Sequence, residues 1–171
     1  MADQIIVITD TSLLVNFLAV DKVGLLIALP GKRFVVTDHV RTEVTGHYEE
    51  QLQRLTQALD AGELEEISVT DLVEVEIFAN LAATGLGVGE CSAIAVAANR
   101  GHAIAIDDKT ALKRIGKLYP AMAVLTTQSI MLDLIQAGVI SVAEADAITA
   151  AWQEDHRFTL PFVSFGDVLG E

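Results

Sequence analysis

The sequence predicts an α/β protein with a mostly parallel β-sheet that is covered by helices on both faces. Short apolar segments alternate with helical segments along the whole chain. The first apolar segment, residues 4–9, is the continuous run typical of a strand buried on both faces. The composition is 51% hydrophobic with 3 prolines, which allows one sizeable core. Strands that alternate with helices form parallel sheets joined by right-handed crossovers.

The candidate strands are short, apolar and often β-branched. They cover residues 4–9, 34–37, 64–69, 103–106 and 122–125. Three of these strands are followed directly by aspartates, which are Asp10, Asp38 and Asp107. The pattern therefore predicts polar side chains at the carboxyl ends of buried strands.

The candidate helices begin at capping residues and end near glycine or proline. Ser12 is predicted to cap a helix that runs to about Leu18, Asp21 one that stops near residues 30–31, and Asp38 one that closes near Gly46. Further helices are predicted over residues 49–60, 71–84, 90–99, 109–118, 127–137 and 141–155, the last from a capping box. The helix at residues 90–99 is apolar on every side, as expected of a buried helix.

The length of 171 residues fits a single domain over residues 1–171, in which residues 141–171 form a C-terminal helix and an apolar tail. No apolar stretch approaches the roughly 20 residues of a membrane span. Residues 1–4 lack the basic region of a signal peptide, and we expect a soluble, cytoplasmic protein. The only cysteine, Cys91, supports neither a disulfide nor a zinc site and is expected to be a small buried side chain.

Acidic residues near the ends of apolar runs are the main candidate functional groups. Asp10, Asp107 and Asp108 follow strands, so strand polarity alone brings them to one edge of a parallel sheet. Glu43 is expected in the helix after the second strand, and Glu90 opens the buried helix, where the helix dipole favours a negative charge. Clustered carboxylates repel one another unless a cation lies between them. Oxygen ligands without His or Cys favour Mg²⁺ or Mn²⁺ over zinc, which indicates a metal-dependent nuclease.

The charge of the whole chain argues against nucleic-acid binding, since its formal value is −13. Part of this charge belongs to the predicted metal site. Four basic residues follow the last acidic pair, namely Lys109, Lys113, Arg114 and Lys117. They are interpreted either as contacts to backbone phosphates or as an ordinary solvated helix face.

Four motifs, taken together and in order, resemble those of the PIN-domain nucleases, a class that includes the VapC-type toxins of toxin–antitoxin pairs. They occupy residues 8–12, 40–44, 87–95 and 105–108, and the resemblance covers roughly residues 4–130. It implies an α/β/α sandwich in three layers and Mg²⁺- or Mn²⁺-dependent cleavage of single-stranded RNA. A cognate antitoxin protein and a homodimer are further expectations. One departure is Ile106, where the family often has Thr or Ser before its last acid.

The resemblance also implies roles for the site residues. Asp10, Glu43, Glu90 and one or both of Asp107 and Asp108 would hold the metal. Ser12 resembles the polar residue that orients the metal ligands. Which of the two adjacent aspartates points inward is left open, because successive residues at a strand end face different ways.

Several other interpretations compete with a nuclease site. Each aspartate at a strand end is also a common helix cap. A non-catalytic binding or regulatory module with the same fold is the principal functional alternative. The haloacid-dehalogenase pattern does not fit, because it has a second Asp two residues after the first, where this chain has Ser12. The response-regulator pattern does not fit, because its acidic pair lies near the first strand and its lone Asp on a later one, and here the order is reversed. The glycines at 85, 87 and 89 are interpreted as a turn into a tightly packed helix. The apolar tail at 158–165 is expected to complete the sheet edge, pack on the core, or contact a second subunit or an antitoxin.

Overall fold

Five strands form one sheet in which every neighbouring pair is parallel. The computed structural model describes residues 3–170. The strands are β1 (Ile5–Thr9), β2 (Lys32–Thr37), β3 (Glu65–Ile67), β4 (Ala103–Ala105) and β5 (Val124–Leu125). Their order across the sheet is β3-β2-β1-β4-β5. The predicted α/β class and parallel sheet are confirmed.

The described residues contain ten helices. These are α1 (Thr11–Ala19), α2 (Val23–Ala28), α3 (Asp38–His47), α4 (Glu49–Asp60), α5 (Leu72–Ala82), α6 (Val88–Arg100), α7 (Lys109–Leu118), α8 (Thr127–Gln136), α9 (Val142–Asp155) and α10 (Phe165–Leu169). All but α10 were predicted, with ends that differ by a few residues. The longest described helix, α9, has 14 residues, and no helix in residues 3–170 is long and apolar enough to cross a membrane.

The capping residues of the first helices differ from the prediction. Asp10, not Ser12, caps α1. Thr37 caps α3 through its hydroxyl, and Asp38 is the first residue of that helix. Asp21 has a positive φ of 54° and α2 begins only at Val23, without a side-chain cap. These predictions were wrong by one or two residues because several adjacent polar side chains compete to cap each helix.

Alternate residues of the strands enter two separate hydrophobic clusters, one on each face of the sheet. On one face lie Val7, Phe34, Val36, Ala103 and Ala105, with side chains from α1 to α4 and α8 to α10. On the other face lie Ile8, Val35 and Ile104, with side chains from α5, α6 and α7. The sheet is therefore the middle layer of a three-layer sandwich. Helix α6 is buried as predicted, and Cys91 is a buried free thiol within it.

The C-terminal tail packs on the core instead of extending the sheet. Trp152, Leu160 and Phe165 are buried in the cluster that also contains Val7. The ring of Phe162 lies 4.8 Å from that of Phe165. Of the three expectations for this segment, core packing is the one that the structure confirms.

Candidate functional site

The strand order places the acidic residues at a reversal in the sheet topology. The chain moves outward from β1 through β2 to β3 and then resumes on the other side of β1 with β4. In parallel sheets such a reversal leaves a crevice at the carboxyl ends of the two strands, where ligands commonly bind. Asp10 follows β1 directly, and its backbone N–H donates to the carbonyl of Ala105 at 2.9 Å. Asp107 and Asp108 follow β4 after one residue.

Asp10 is the most deeply buried of these acids, with 2% of its surface exposed. Its carboxylate accepts a hydrogen bond from the backbone N–H of Ser12 at 3.3 Å. Burial raises its pKa to about 7, and the negative charges of Glu90 and then Glu43 act in the same direction against the backbone hydrogen bonds of Thr11 and Ser12. A buried carboxyl among other carboxylates is therefore partly protonated near neutral pH.

Glu43 extends from α3 towards the first turns of α1 and α6. The hydroxyl of Thr11 donates to one carboxylate oxygen at 2.5 Å, and the backbone N–H of Gly89 donates to the other at 2.7 Å. A Cβ atom at position 89 would lie 2.6 Å from both Glu43 Oε2 and Thr11 Oγ1. Only glycine leaves room for this arrangement, which agrees with the predicted turn into a tightly packed helix.

Glu90 lies in the first turn of α6 and is half-buried. Its carboxylate accepts a hydrogen bond from the backbone N–H of Gly87 at 3.1 Å. Burial raises the pKa of Glu90, and the charges of Asp108 and Glu43 raise it further. The residue thus serves as a helix-capping group and also faces the other acids.

The two adjacent aspartates have different surroundings. Asp107 accepts hydrogen bonds from the backbone N–H of Thr127 at 2.8 Å and from its hydroxyl at 2.5 Å. Burial raises the pKa of Asp107, and these bonds oppose the shift. Asp108 is exposed, caps α7 through the backbone N–H of Ala111 at 2.8 Å, and is the aspartate of the pair whose charge raises the pKa of Glu90. The predicted cap in this pair is therefore Asp108.

The acids approach one another without forming a ready-made metal cage. Among residues 3–170, no group of three or more Asp, Glu, His or Cys side chains is arranged to hold a metal ion. Protein donors occupy at least one carboxylate oxygen of Asp10, Glu43, Glu90, Asp107 and Asp108. The donor chemistry still fits a hard divalent cation, since the set contains only carboxylate oxygens.

Helix α7 begins at this edge of the sheet with Lys109 and runs back towards the amino ends of the strands, so the later cations lie progressively farther from the acids. Five of the 11 lysines and arginines form ion pairs with acids elsewhere, namely Lys32, Arg33, Arg41, Arg54 and Arg100. Within the described part of the chain, the four cations of α7 form none. Lys109, Lys113 and Lys117 are exposed and follow one another at four-residue spacing, so they share one face of the helix.

Four residues that contact the acids were missed from the sequence. Thr11, rather than Ser12, supplies the hydroxyl that orients an acid, and Gly89 supplies a backbone donor to the same acid. Asn16 and Thr127 surround Asp107, with the Asn16 amide nitrogen 3.4 Å from Asp107 Oδ2. Asn16 stands alone in the apolar run of α1, and this was the one signal that could have identified it.

Comparisons with known proteins found one matching family model and several similar solved structures. A family model described as PIN domain matches residues 6–159. Among solved structures 18 chains match. A PilT N-terminus domain protein from the hyperthermophilic archaeon Sulfolobus solfataricus P2 is 13% identical, with 73% of this chain and 89% of that chain covered and a TM-score of 0.48. VapBC2 from Rickettsia felis, bound to a DNA fragment from its promoter, is 14% identical, with 71% and 98% covered and a TM-score of 0.48. The search of curated proteins found no match.

Proposed function

The chain belongs to the PIN-domain family, and we propose that it is a metal-dependent ribonuclease that hydrolyses phosphodiester bonds of single-stranded RNA. PIN domains are generally nucleases. The main support for the proposal is the environment of Asp10. Its carboxyl is buried at the topological switch point, and its pKa is raised to about 7 by burial and by the charges of Glu90 and Glu43. Such a group is unfavourable as an isolated anion and is stabilised by a cation.

Asp10, Glu43, Glu90 and Asp108 are the residues that would hold Mg²⁺ or Mn²⁺. The charges of Glu90 and Glu43 raise the pKa of Asp10, and the charges of Asp108 and Glu43 raise the pKa of Glu90. A bound ion would lower the pKa of a water molecule and stabilise negative charge on the phosphate oxygens. Asp107 has a different role, because its two oxygens are held by Thr127 and it anchors the start of α8 beside the site. Ser12 contributes its backbone N–H to Asp10.

Helix α7 provides the positive charge that an RNA backbone requires. Lys109, Lys113, Arg114 and Lys117 form no ion pair within residues 3–170, whereas most other arginines are neutralised. Asp108 caps this helix, so Lys109 lies next to the acids, and the other three cations follow along the helix away from them. Contacts to phosphates from this face would position the strand without reading its sequence.

A role as the toxin of a toxin–antitoxin pair, with a cognate antitoxin and a homodimer, is the finer part of the proposal and rests on the resemblance alone. The homodimer is open to a direct measurement. A single species with the mass of one chain in sedimentation at micromolar concentration would contradict it.

The proposal is tested by incubating the purified protein with unstructured and structured RNA in Mg²⁺, Mn²⁺ or EDTA. We expect cleavage of unstructured RNA with either ion, none in EDTA, and a loss of at least about 100-fold in Asp10→Asn and Glu90→Gln, as for the removal of a group that stabilises the transition state. Asp60→Asn and Glu76→Gln are matched controls, because they remove the same charges at exposed positions.

One observation favours a non-catalytic binding module as the second candidate. Protein donors already occupy the acids, and no three acids among the described residues converge as a ligand set. Cleavage that persists in EDTA or in both active-site variants would contradict the metal nuclease. RNA that binds but stays intact with every ion would favour the binding module.

A further inference from the structure

A cleft of about 390 Å³ opens beside the acidic residues and includes an aromatic side chain from the C-terminal tail. Its lining consists of Ser12, Asn16, Asp107, Asp108, Lys109 and Phe158. Two of these residues belong to the acidic set and one is the first cation of α7. The cleft therefore continues directly from the proposed site of cleavage.

Phe158 is held in place by contacts that fix both its backbone and its ring. Its backbone N–H donates to the carbonyl of Trp152 at 3.2 Å. The two rings pack at right angles, with centroids 5.4 Å apart and an interplanar angle of 87°. Trp152 is fully buried, and its indole N–H donates to the carbonyl of Asn16 at 2.6 Å. Phe158 itself remains half-exposed and borders the cleft.

The backbone before Phe158 adopts a conformation that is uncommon for its residue type. Arg157 has a φ of 54°, in the left-handed region. This turn ends α9 and directs the chain back so that Phe158 contacts Trp152. This region is sterically unfavourable for a residue that has a Cβ atom.

Polar groups of the cleft offer both donors and acceptors. The Asn16 amide nitrogen makes two long hydrogen bonds, to Asp107 Oδ2 at 3.4 Å and to Thr127 Oγ1 at 3.3 Å. Within residues 3–170 the side chains of Ser12 and Lys109 make no hydrogen bond, and both are exposed. An aromatic ring, an amide, a hydroxyl and a cation are the groups that recognise a nucleotide, because they match its base face, base edge and phosphate.

We propose that this cleft binds one unpaired nucleobase of the RNA beside the cleaved phosphate, with the base stacked on Phe158, its edge facing Asn16 and Ser12, and its phosphate near Lys109. The inference rests on the proposed function and deepens it. A base inside a duplex has both faces covered, so only an unpaired nucleotide reaches Phe158. The cleft therefore selects single-stranded RNA through access to the ring of Phe158, and this selection does not require a bound metal ion.

The test measures binding rather than cleavage, so that it does not depend on catalysis. A labelled single-stranded RNA of eight nucleotides is titrated in EDTA, and fluorescence anisotropy reports its affinity for the full chain. Stacking contributes about 1–3 kcal/mol per base, so we expect Phe158→Leu to weaken binding by about tenfold. Phe158→Tyr keeps an aromatic face and should restore most of the affinity.

Phe162→Leu is the matched control, because Phe162 is an aromatic residue of the same tail that contacts Phe165 and does not line the cleft. Binding by this variant should equal that of the wild type. Thermal melting of all three variants establishes that they are folded. Lys109→Gln should weaken binding of every sequence and lower the slope of affinity against salt by about one unit.

The outcomes separate this inference from the proposed nuclease activity. If Phe158→Leu binds as tightly as wild type, or if no single-stranded RNA binds, the base site is wrong. Equal binding of an oligonucleotide with abasic positions in place of its central bases would also overturn it. Phe158-dependent binding by a protein that cleaves no RNA in Mg²⁺ or Mn²⁺ would support the base site and contradict the nuclease.

Discussion

Asp10 combines two functions that a single polar residue at a strand end can serve. It caps α1 through the backbone N–H of Ser12, and it lies among acids whose charges raise its pKa. In the unfolded chain this carboxyl ionises near 3.8, and in the folded chain near 7. Between these pH values the folded state keeps a proton that the unfolded state has released. The free energy of unfolding therefore falls as the pH rises through this window.

Asp10→Asn should stabilise the metal-free protein at neutral and alkaline pH. Asparagine is an equally good helix cap and carries no charge. In EDTA, we expect the free energy of unfolding of the variant to exceed that of wild type by as much as about 4 kcal/mol near pH 8, and the difference to vanish near pH 4. Urea unfolding across this pH range measures it. An equal gain in Asp60→Asn, at an exposed site, would show that the effect is one of net charge.

Gly89 is the second residue whose role depends on its immediate surroundings. Its N–H donates to Glu43, and the position of a Cβ atom is already occupied by Glu43 and Thr11 oxygens. The contact involves three helices, so none of these atoms can move freely. A side chain at this position must displace the acid.

Gly89→Ala should therefore reduce both stability and cleavage. Crowding of a packed site typically costs about 1–3 kcal/mol, and displacement of Glu43 should lower kcat. Gly116→Ala is the control, because Gly116 lies inside α7 with no atom within 4 Å of the added Cβ. That change should stabilise the protein by roughly 0.5–1 kcal/mol. Thermal unfolding and cleavage rates are measured for both variants. Equal changes in Gly89→Ala and Gly116→Ala would contradict this role of Gly89.

At the scale of elements, a buried ion pair joins α5 to the end of α6. Glu74 is completely buried, and Arg100 donates to its carboxylate from Nε at 2.6 Å and from Nη2 at 3.1 Å. Asn99 and the backbone N–H of Thr70 donate to the same group. These hydrogen bonds, Arg100 first, lower the pKa of Glu74 to about 2 although burial opposes the shift. The far end of the helix that carries Gly89 and Glu90 is thereby anchored.

Glu74→Gln should destabilise the fold in a pH-dependent way. The lowered pKa contributes stability that is present above about pH 4.5 and is lost as the pH falls towards 2. We expect a loss of about 1–3 kcal/mol at neutral pH, from donors left without a charged partner, and a smaller loss near pH 2. Denaturant unfolding of this variant is compared with Glu76→Gln, an exposed neighbour on α5. If Glu74→Gln and Glu76→Gln lose the same free energy of unfolding at each pH, the ion pair between Glu74 and Arg100 has no special role in stability.

At the scale of the whole molecule, the charge of −13 is unevenly distributed. The candidate site acids lie at the carboxyl end of the sheet, and four cations that form no ion pair within residues 3–170 lie along α7, which begins there. One cation, Lys109, therefore lies beside the acids, and an overall negative charge does not by itself prevent a phosphate contact there.

Divalent ions should stabilise the folded chain, because they bind the clustered acids only when these are brought together. An ion present at 100 times its dissociation constant adds about 2.7 kcal/mol. We expect Mn²⁺ to raise Tm relative to EDTA at matched ionic strength, and Asp10→Asn to lose most of this increase. Differential scanning fluorimetry measures both. A Tm that does not respond to Mn²⁺ or Mg²⁺ in wild type would contradict the metal site.

The predictions from sequence succeeded where the governing physics is local. The apolar runs and their spacing identified all five strands and nine of the ten described helices, because side-chain periodicity and helix-ending glycines act within a few residues. They failed at the caps of α1 and α3, where adjacent polar residues compete. They also missed α10, a helix of five residues with no periodicity of its own.

By itself, the sequence determined the α/β alternation, the burial of α6 and the arrival of acids at strand ends, because each follows from short-range patterns. Tertiary structure alone decided that Thr11 and Gly89 hold Glu43 across 32 and 46 positions, and that Thr127 holds Asp107 across 20. It also decided that Phe158 returns to the edge where Asp107 lies. Such contacts depend on chain direction after several turns and crossovers, which no local pattern records.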